Sequence, residues 1–313
     1  MPCEVMAACV QSCCAKSAMI KSLAFDATRS LIHGTGLCQL MVDLSLVDEV
    51  WCRIQEEARA VAEEEPLLHK LYDDLVLSHE TLESALSANL ASKLAVPALL
   101  STSVLRDIFS TVLGNDSEIR RAIRVDLHAA RDRDPACDKM VHCFLYYKGF
   151  MALQVHRVAH RLWIEGRRSV ALLLQSRVSE VFAVDIHPGA RIGAGVLLDH
   201  ATGLVIGETA VVGDDVSFLH GVTLGGTGKE IGDRHPKIGD GVLIGAGTQV
   251  LGNVRIGEGA KIGAGSVVLK PVPPRTTAVG NPARLIGGNE KPARLGSRAG
   301  LTMDHTSWSA CTT

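Results

Sequence analysis

Between residues 186 and 268 an apolar side chain returns every six positions, a period that excludes most folds. The positions are Ile186, Ile192 and Leu198, then Ile206, Val212, Phe218 and Leu224, then Ile238, Ile244, Val250, Ile256, Ile262 and Val268. Thirteen such units do not arise by chance. An amphipathic helix needs a period near 3.6 and an alternating strand a period of 2, and neither keeps a glycine at fixed phase. Repeats of six point instead to a β-solenoid. Three hexads close one triangular coil of about 18 residues, coils stack about 4.8 Å apart, and the aliphatic positions point inward. Of the 30 glycines, 23 lie between Gly189 and Gly288. They are expected at the corners, where a positive φ costs glycine little.

The repeat is broken twice. Leu198 to Ile206 is eight residues rather than six, and Leu224 to Ile238 is fourteen. Insertions loop out of a stack and commonly carry function. The larger one falls within residues 225–237, which include Lys229, Glu230, Asp233 and Arg234, too polar for the prism interior. With the surplus removed, His200, His220, Ala246 and Ala264 share one column. Such a column offers a ladder of backbone groups, and three coil steps span about 14 Å, suited to an extended pantetheine arm. The small side chains of Ala246 and Ala264 let a ligand approach closely.

From about Val47 to Gly166 apolar residues recur at three and four, as in Val47 to Ile54 and Leu67 to Tyr72, which predicts a helical bundle. Asp116 caps one run at its start, and Asp134-Pro135 marks a break. The fold class is therefore α+β. The expected parts are an extension at 1–44, a helical domain at 45–180, a β-helix at 181–275 and a tail at 276–313. A chain of 313 residues with 47% hydrophobic content supports two domains.

A formal charge of −2 gives no electrostatic reason to expect nucleic acid or an anionic membrane. No stretch approaches the roughly 20 apolar residues of a membrane span. The nine cysteines are odd in number, absent from the glycine-rich half and without zinc-ligand spacing, which fits reduced thiols in a reducing compartment. Residues 1–42 hold only Glu4 and Asp26 as acids against Lys16, Lys21 and Arg29. That suits a transit peptide and an untethered extension equally, leaving plastid and cytoplasm both open.

The stretches Asp185-Ile186-His187-Pro188-Gly189, Leu198-Asp199-His200-Ala201-Thr202-Gly203, Thr223-Leu224-Gly225-Gly226-Thr227-Gly228 and Gly232-Asp233-Arg234-His235-Pro236-Lys237 together resemble the serine acetyltransferase family. The resemblance extends through Arg133-Asp134-Pro135-Ala136, Lys148-Gly149-Phe150 and Gly280-Asn281-Pro282-Ala283-Arg284, and Met303-Asp304-His305-Thr306 is plant-like. It implies a left-handed parallel β-helix of hexapeptide repeats. The hand comes from the resemblance alone, since parallel crossovers are generally right-handed. It also implies transfer of acetyl from acetyl-CoA, a cosubstrate, to L-serine, giving O-acetyl-L-serine for cysteine biosynthesis, with no metal.

The resemblance makes His200 the general base, an imidazole being suited to activating a hydroxyl near neutral pH. Asp185 would orient its other nitrogen. Arg234 suits the serine carboxylate and Asp134 the ammonium, with Asp199 assisting. His235 would bond substrate or the developing oxyanion, and the amide near Gly226 is a further donor. His220 is a wall residue. His156 and His160 lie four apart on a helix, a metal-ligand spacing, but no third ligand is evident.

Three rivals share the fold. Another hexapeptide transferase is disfavoured by the set Asp185, His200 and Arg234. A β-helical carbonic anhydrase is disfavoured because His200, His220 and His235 lack its zinc-ligand spacing. A non-catalytic subunit is disfavoured by the intact His200 and Asp185. The family implies a homotrimer or a dimer of trimers, and a tail ending in isoleucine that enters O-acetylserine sulfhydrylase. Here the chain ends in Thr313, which argues against that complex.

Overall fold

The computed structural model describes residues 48–96, 98–228, 231–286 and 298–304. The leader reading of residues 1–42 and the sulfhydrylase-binding reading of the last residues fall outside this range. Residues 1–56 form a unit of their own, described only over the first turns of α1 (Glu49–Glu64), where Asp48 Oδ1 accepts the Trp51 N–H at 3.2 Å. All that follows concerns residues 57–313.

The helical part contains α2 (His69–Tyr72), α3 (Leu82–Leu94), α4 (Thr102–Asn115), α5 (Ser117–Arg133), α6 (Met140–Tyr146), α7 (Lys148–Ile164) and α8 (Arg168–Phe182). Thr81, Ser101 and Asp116 cap α3, α4 and α5 through their side-chain oxygens, satisfying amides that lack helical partners. Helix α5 stops at Arg133 because Pro135 disfavours helical backbone at Asp134. Leu86, Leu90, Phe109, Leu113, Ile123 and Phe144 are fully buried between these helices. Helix α8 runs to Phe182, past the expected boundary at 180, and ends on Ala183 in a left-handed conformation.

The strands then form a parallel prism of about five coils. Face one stacks β1 (Val184–Ile186), β4 (Leu204–Ile206), β7 (Thr223–Gly225), β10 (Gln249–Leu251) and β13 (Val267–Val268). Face two stacks β2 (Arg191–Ile192), β5 (Val211–Val212), β8 (Lys237–Ile238) and β11 (Arg255–Ile256). Face three stacks β3 (Leu197–Leu198), β6 (Ser217–Phe218), β9 (Leu243–Ile244), β12 (Lys261–Ile262) and β14 (Thr277–Val279), closed by antiparallel β15 (Arg284–Leu285). The stack therefore continues past the expected boundary at 275.

Val184 pairs with Leu204, Thr223 with Gln249 and Gln249 with Val267, so the surplus of two, then eight, then none is observed directly. A third irregularity was not foreseen. Lys261 pairs with Thr277, two residues short of a full coil, at the segment Pro271-Val272-Pro273-Pro274. The inward positions Ile206, Leu224, Val250 and Val268 form one buried column, and Phe218, Ile244 and Ile262 another.

Glycine serves two purposes in this wall. Gly221 turns a corner at φ 68°, as expected. Gly245 has no such φ, but a Cβ there would lie 2.5 Å from the Ala264 nitrogen, so the next coil's approach excludes a side chain.

Strands β1, β2 and β3 are the open edges of the three faces, and the helices cover that end. Arg157 of α7 bonds Asp126 of α5 at 2.7–3.0 Å and also donates to the carbonyls of Ile192 and Gly193. Asp126 accepts the Val196 N–H at 3.0 Å, and Gln154 completes its coordination. Arg133 reaches Gly195 O, Ser217 Oγ and Asp215. Helix α9 (Ala299–Thr302) returns to the corner between faces two and three, where the Gly300 N–H donates to Gly241 O at 2.8 Å and Gly300 O accepts from Ser217 Oγ at 2.7 Å.

Candidate active site

Two corners concentrate the polar side chains, at opposite ends of face one. The corner between faces three and one carries the surplus of two. The Gly221 N–H donates to Thr202 O, Gly247 to His220 O and Gly265 to Ala246 O, at 2.8, 2.9 and 2.7 Å. Thr202, His220, Ala246 and Ala264 therefore share the rungs, and His200 and Ala201 form a bulge before them. This corrects the expected column, in which His200 took the place that Thr202 occupies. Surplus residues have no ladder partners, so the chain leaves the wall after Asp199 and rejoins it at Thr202.

His200 and Ala201 both have positive φ, 54° and 55°. That conformation costs a residue with a Cβ about 1–2 kcal/mol. The bulge lifts the imidazole out of the wall: the His200 side chain is 75% exposed, and its Nε2 lies 3.7 Å from Asp199 Oδ1. Its ring stands edge-on to His220 with centroids 6.1 Å apart. Along the same corner, a Cβ added to Gly247 or Gly265 would meet nothing within 4 Å. Ala246 and Ala264 thus border an unobstructed strip.

Asp185, in β1, faces outward. Its Oδ1 accepts a 2.6 Å hydrogen bond from Gln175 Nε2 of α8 rather than from His200. The carboxylate borders an open cleft of about 440 Å³ with Leu172, Gln175, Ser176, Ser179 and Glu180.

Asp134 ends α5, its Oδ1 accepting the Ala136 N–H at 2.8 Å. It lies beside Tyr147, whose phenol is pushed up by burial first and then by Cys137 and Asp134. The next residue, Lys148, donates to Thr202 Oγ1, and a Cβ on Gly149 would come within 2.1 Å of Leu198 O. The start of α7 therefore runs from Asp134 to the His200 bulge, so the helical half does fold back onto the solenoid.

The corner between faces one and two carries the long insertion. Val211 pairs with Lys237, which puts Arg234 and His235 one coil above Glu208 and Thr209. Glu208 holds Arg234 Nη2 at 2.8 Å, and this guanidinium is the main cause that keeps the Glu208 carboxyl below its ordinary value. His235 is only 7% exposed, and burial first, then Arg234, lowers its imidazole. Gly226 adjoins Arg234, since an added Cβ would lie 3.6 Å from Arg234 Cγ. His187 joins this corner from below, with Nδ1 accepting the Gly189 N–H at 3.0 Å and its ring edge-on to Trp163.

Face one is four to five residues wide, about 15 Å. Within one chain His200 and Asp199 thus share one corner, to which Tyr147 and Lys148 lead from Asp134, and Arg234, His235 and Gly226 share another, with Asp185 on the face between. Ala246 and Ala264 belong to the first corner. His156 is buried and His160 Nδ1 bonds Pro188 O at 2.7 Å. Among the described residues no group of three His, Cys, Asp or Glu side chains could hold a metal.

Gln175, Glu208 and Thr209 were not expected here. Glu208 and Thr209 were within reach of the repeat, because the long coil step that places Lys237 over Val211 also places Arg234 and His235 over them. Gln175 leaves no such signal, since it depends on how α8 packs.

The family model for serine acetyltransferase, N-terminal, matches residues 50–155, and that for bacterial transferase hexapeptide (six repeats) matches 235–270. The chain is 66% identical over 264 residues to probable serine acetyltransferase 4 of Oryza sativa subsp. japonica, covering 84% of each. It is 61% identical over 261 residues to serine acetyltransferase 1, chloroplastic, of Arabidopsis thaliana, covering 83% of each. Soybean serine acetyltransferase complexed with serine superposes with TM-score 0.74 at 61% identity, over 76% of this chain and 97% of that one. Serine acetyltransferase of Brucella abortus strain S19 in complex with coenzyme A gives 0.76 at 50% identity, over 81% and 98%.

Proposed function

The chain belongs to the serine acetyltransferase family, and from that membership we propose how its two corners divide the reaction. The enzyme is an acyltransferase: acetyl-CoA and L-serine give O-acetyl-L-serine and CoA, the first step from serine to cysteine.

His200 is the general base. A serine hydroxyl is a weak nucleophile near neutral pH, and an imidazole in hydrogen-bond reach takes its proton as the oxygen attacks the thioester carbonyl. The observation that carries this assignment is the strained bulge, which presents His200 beside the open strip. A rotation of the exposed ring brings it to the free oxygen of Asp185, which orients it and stabilises the imidazolium. Acetyl-CoA lies along Ala246 and Ala264. Arg234 grips the serine carboxylate, and Asp134 and Asp199 receive the ammonium. His235 and the amide near Gly226 donate to the carbonyl oxygen as charge develops. The proton held by His200 then passes to the departing CoA sulfur.

Serine-dependent release of thiol from acetyl-CoA tests the reading, and His200→Ala should lower kcat by about 10²–10⁴-fold. Release that ignores serine, or survives this substitution, refutes it.

Serine is far smaller than the distance between the two corners, so one reaction centre draws on two chains. Prisms arranged around a threefold axis, corner against corner, satisfy this as a homotrimer, and pairing through the helical half makes a dimer of trimers. Co-expressed His200→Ala and Arg234→Ala chains should recover activity that neither has alone. No recovery would place both clusters in one chain's site. Mixing with O-acetylserine sulfhydrylase, followed by size separation, tests whether the two enzymes form a complex. Sequencing the mature amino terminus tests whether residues 1–42 are removed.

A further inference from the structure

We propose that Thr209 is a positioning residue that fixes His235 as a hydrogen-bond donor and so separates its role from that of His200. This rests on the acetyl transfer read above.

Thr209 Oγ1 accepts the backbone N–H groups of Arg234 and His235, at 3.0 and 3.1 Å, and lies 2.9 Å from His235 Nδ1. The Thr209 backbone N–H also points at Nδ1, at 3.2 Å. An amide N–H can only donate, so Nδ1 carries a lone pair. The hydroxyl already receives two donors, and its single hydrogen has Nδ1 and the Asp233 carboxylate as acceptors beside it. The lone pair on Nδ1 is thus fixed by the amide, and the hydroxyl serves to seat the ring against that amide. The proton of the neutral ring therefore resides on Nε2.

Other contacts keep the ring there. Gly207 leaves no room behind it, because an added Cβ would lie 2.1 Å from Nε2. The Thr209 carbonyl holds Lys237 Nζ at 2.8 Å, which in turn bonds Asp233 Oδ1. Thr209 thus ties down the returning end of the long insertion through both its side chain and its backbone.

The chemical consequence is a division of labour. With Nδ1 occupied and Nε2 protonated, His235 has no free lone pair to take the serine proton, and it can donate to a carboxylate or to a developing oxyanion. His200, with no backbone amide bonded to its ring among the described residues, keeps the basic role.

The test compares Thr209→Val with Thr209→Ser in the full-length enzyme. Imidazole ¹⁵N spectra of histidine-labelled protein report the tautomer, and steady-state kinetics report the consequence. Thr209→Ser should keep the Nε2–H form and a kcat/KM for serine within about twofold of the parent, because the hydroxyl remains. Thr209→Val keeps the amide but removes the oxygen that seats the Arg234 and His235 N–H groups. The ring should then drift off the amide and mix its tautomers, lowering kcat/KM for serine about tenfold, the worth of one or two hydrogen bonds, with KM for acetyl-CoA unchanged. If Thr209→Val does not fold, Thr209→Ala removes the same hydroxyl and carries the same expectation. A hydroxyl-free variant that keeps the Nε2–H form or parental kinetics overturns the proposal, and so does a serine variant that fails to restore them. If the parent enzyme does not acetylate serine, the reading of the reaction fails, while the spectra still decide what Thr209 does to His235.

Discussion

One oxygen of Asp185 is taken by Gln175 at 2.6 Å, which leaves the other for an imidazole. A carboxylate steadied on one side presents its second oxygen in a fixed direction, and that direction is what the proposed base on an exposed bulge requires. Gln175→Leu should therefore lower kcat by about tenfold, the loss expected from a mis-set hydrogen bond, with little change in either KM. Steady-state rates across pH check this, and an unchanged kcat would make Gln175 only a packing residue. The histidine, aspartate and arginine proposed for this site could be named from the sequence because their motifs are local. Gln175 was not, because nothing near it in the chain announces the carboxylate ten positions on.

At the level of single elements, the corner rungs are where the repeat is proposed to meet acetyl-CoA. Ala246 and Ala264 border the open strip, so Ala264→Phe should raise KM for acetyl-CoA at least about tenfold by steric exclusion while leaving the melting temperature nearly unchanged. Equal affinity for acetyl-CoA would move its course elsewhere. Helix α9 depends on the opposite feature, close approach. A Cβ on Gly300 would lie 2.5 Å from Asp215 O and 2.8 Å from Val242 O, both backbone atoms that cannot yield. Gly300→Val should detach this segment, and rapid proteolytic trimming near residue 298 would show it. The six-residue period foretold the rungs, but not which residues fall outside them, since that depends on hydrogen bonds between coils.

The helices and the solenoid of residues 57–313 are joined by a buried charge cluster where the helices cover the first coil. Asp126 is almost wholly enclosed and binds Arg157, Gln154 and the Val196 amide, so Asp126→Ala would leave a buried guanidinium without its counter-ion. A loss of about 3–5 kcal/mol is expected, read from denaturant unfolding. Stability should also depend on pH. Burial first, then His160 and Arg157, holds the His156 imidazole well below 6.5, and the ring is neutral in the fold. The unfolded chain takes up that proton as pH falls below about 6.5, so this stability is present above that pH and lost beneath it. His187 and His235 are lowered as well and act in the same direction. His156→Leu should flatten the decline in melting temperature between about pH 7 and 5, and an unaltered decline would assign it to the other histidines. By itself the sequence determined the solenoid, its inward columns and the two insertions, and it named the residues proposed to carry the chemistry, because a period of six and a short motif are properties of neighbouring residues. Only the tertiary structure decided that Thr202 rather than His200 holds the rung, that Gln175 meets Asp185, and that the two polar clusters stand at different corners. Those outcomes depend on ladders closed between coils and on helices packed against an open edge, whose partners are distant in the chain.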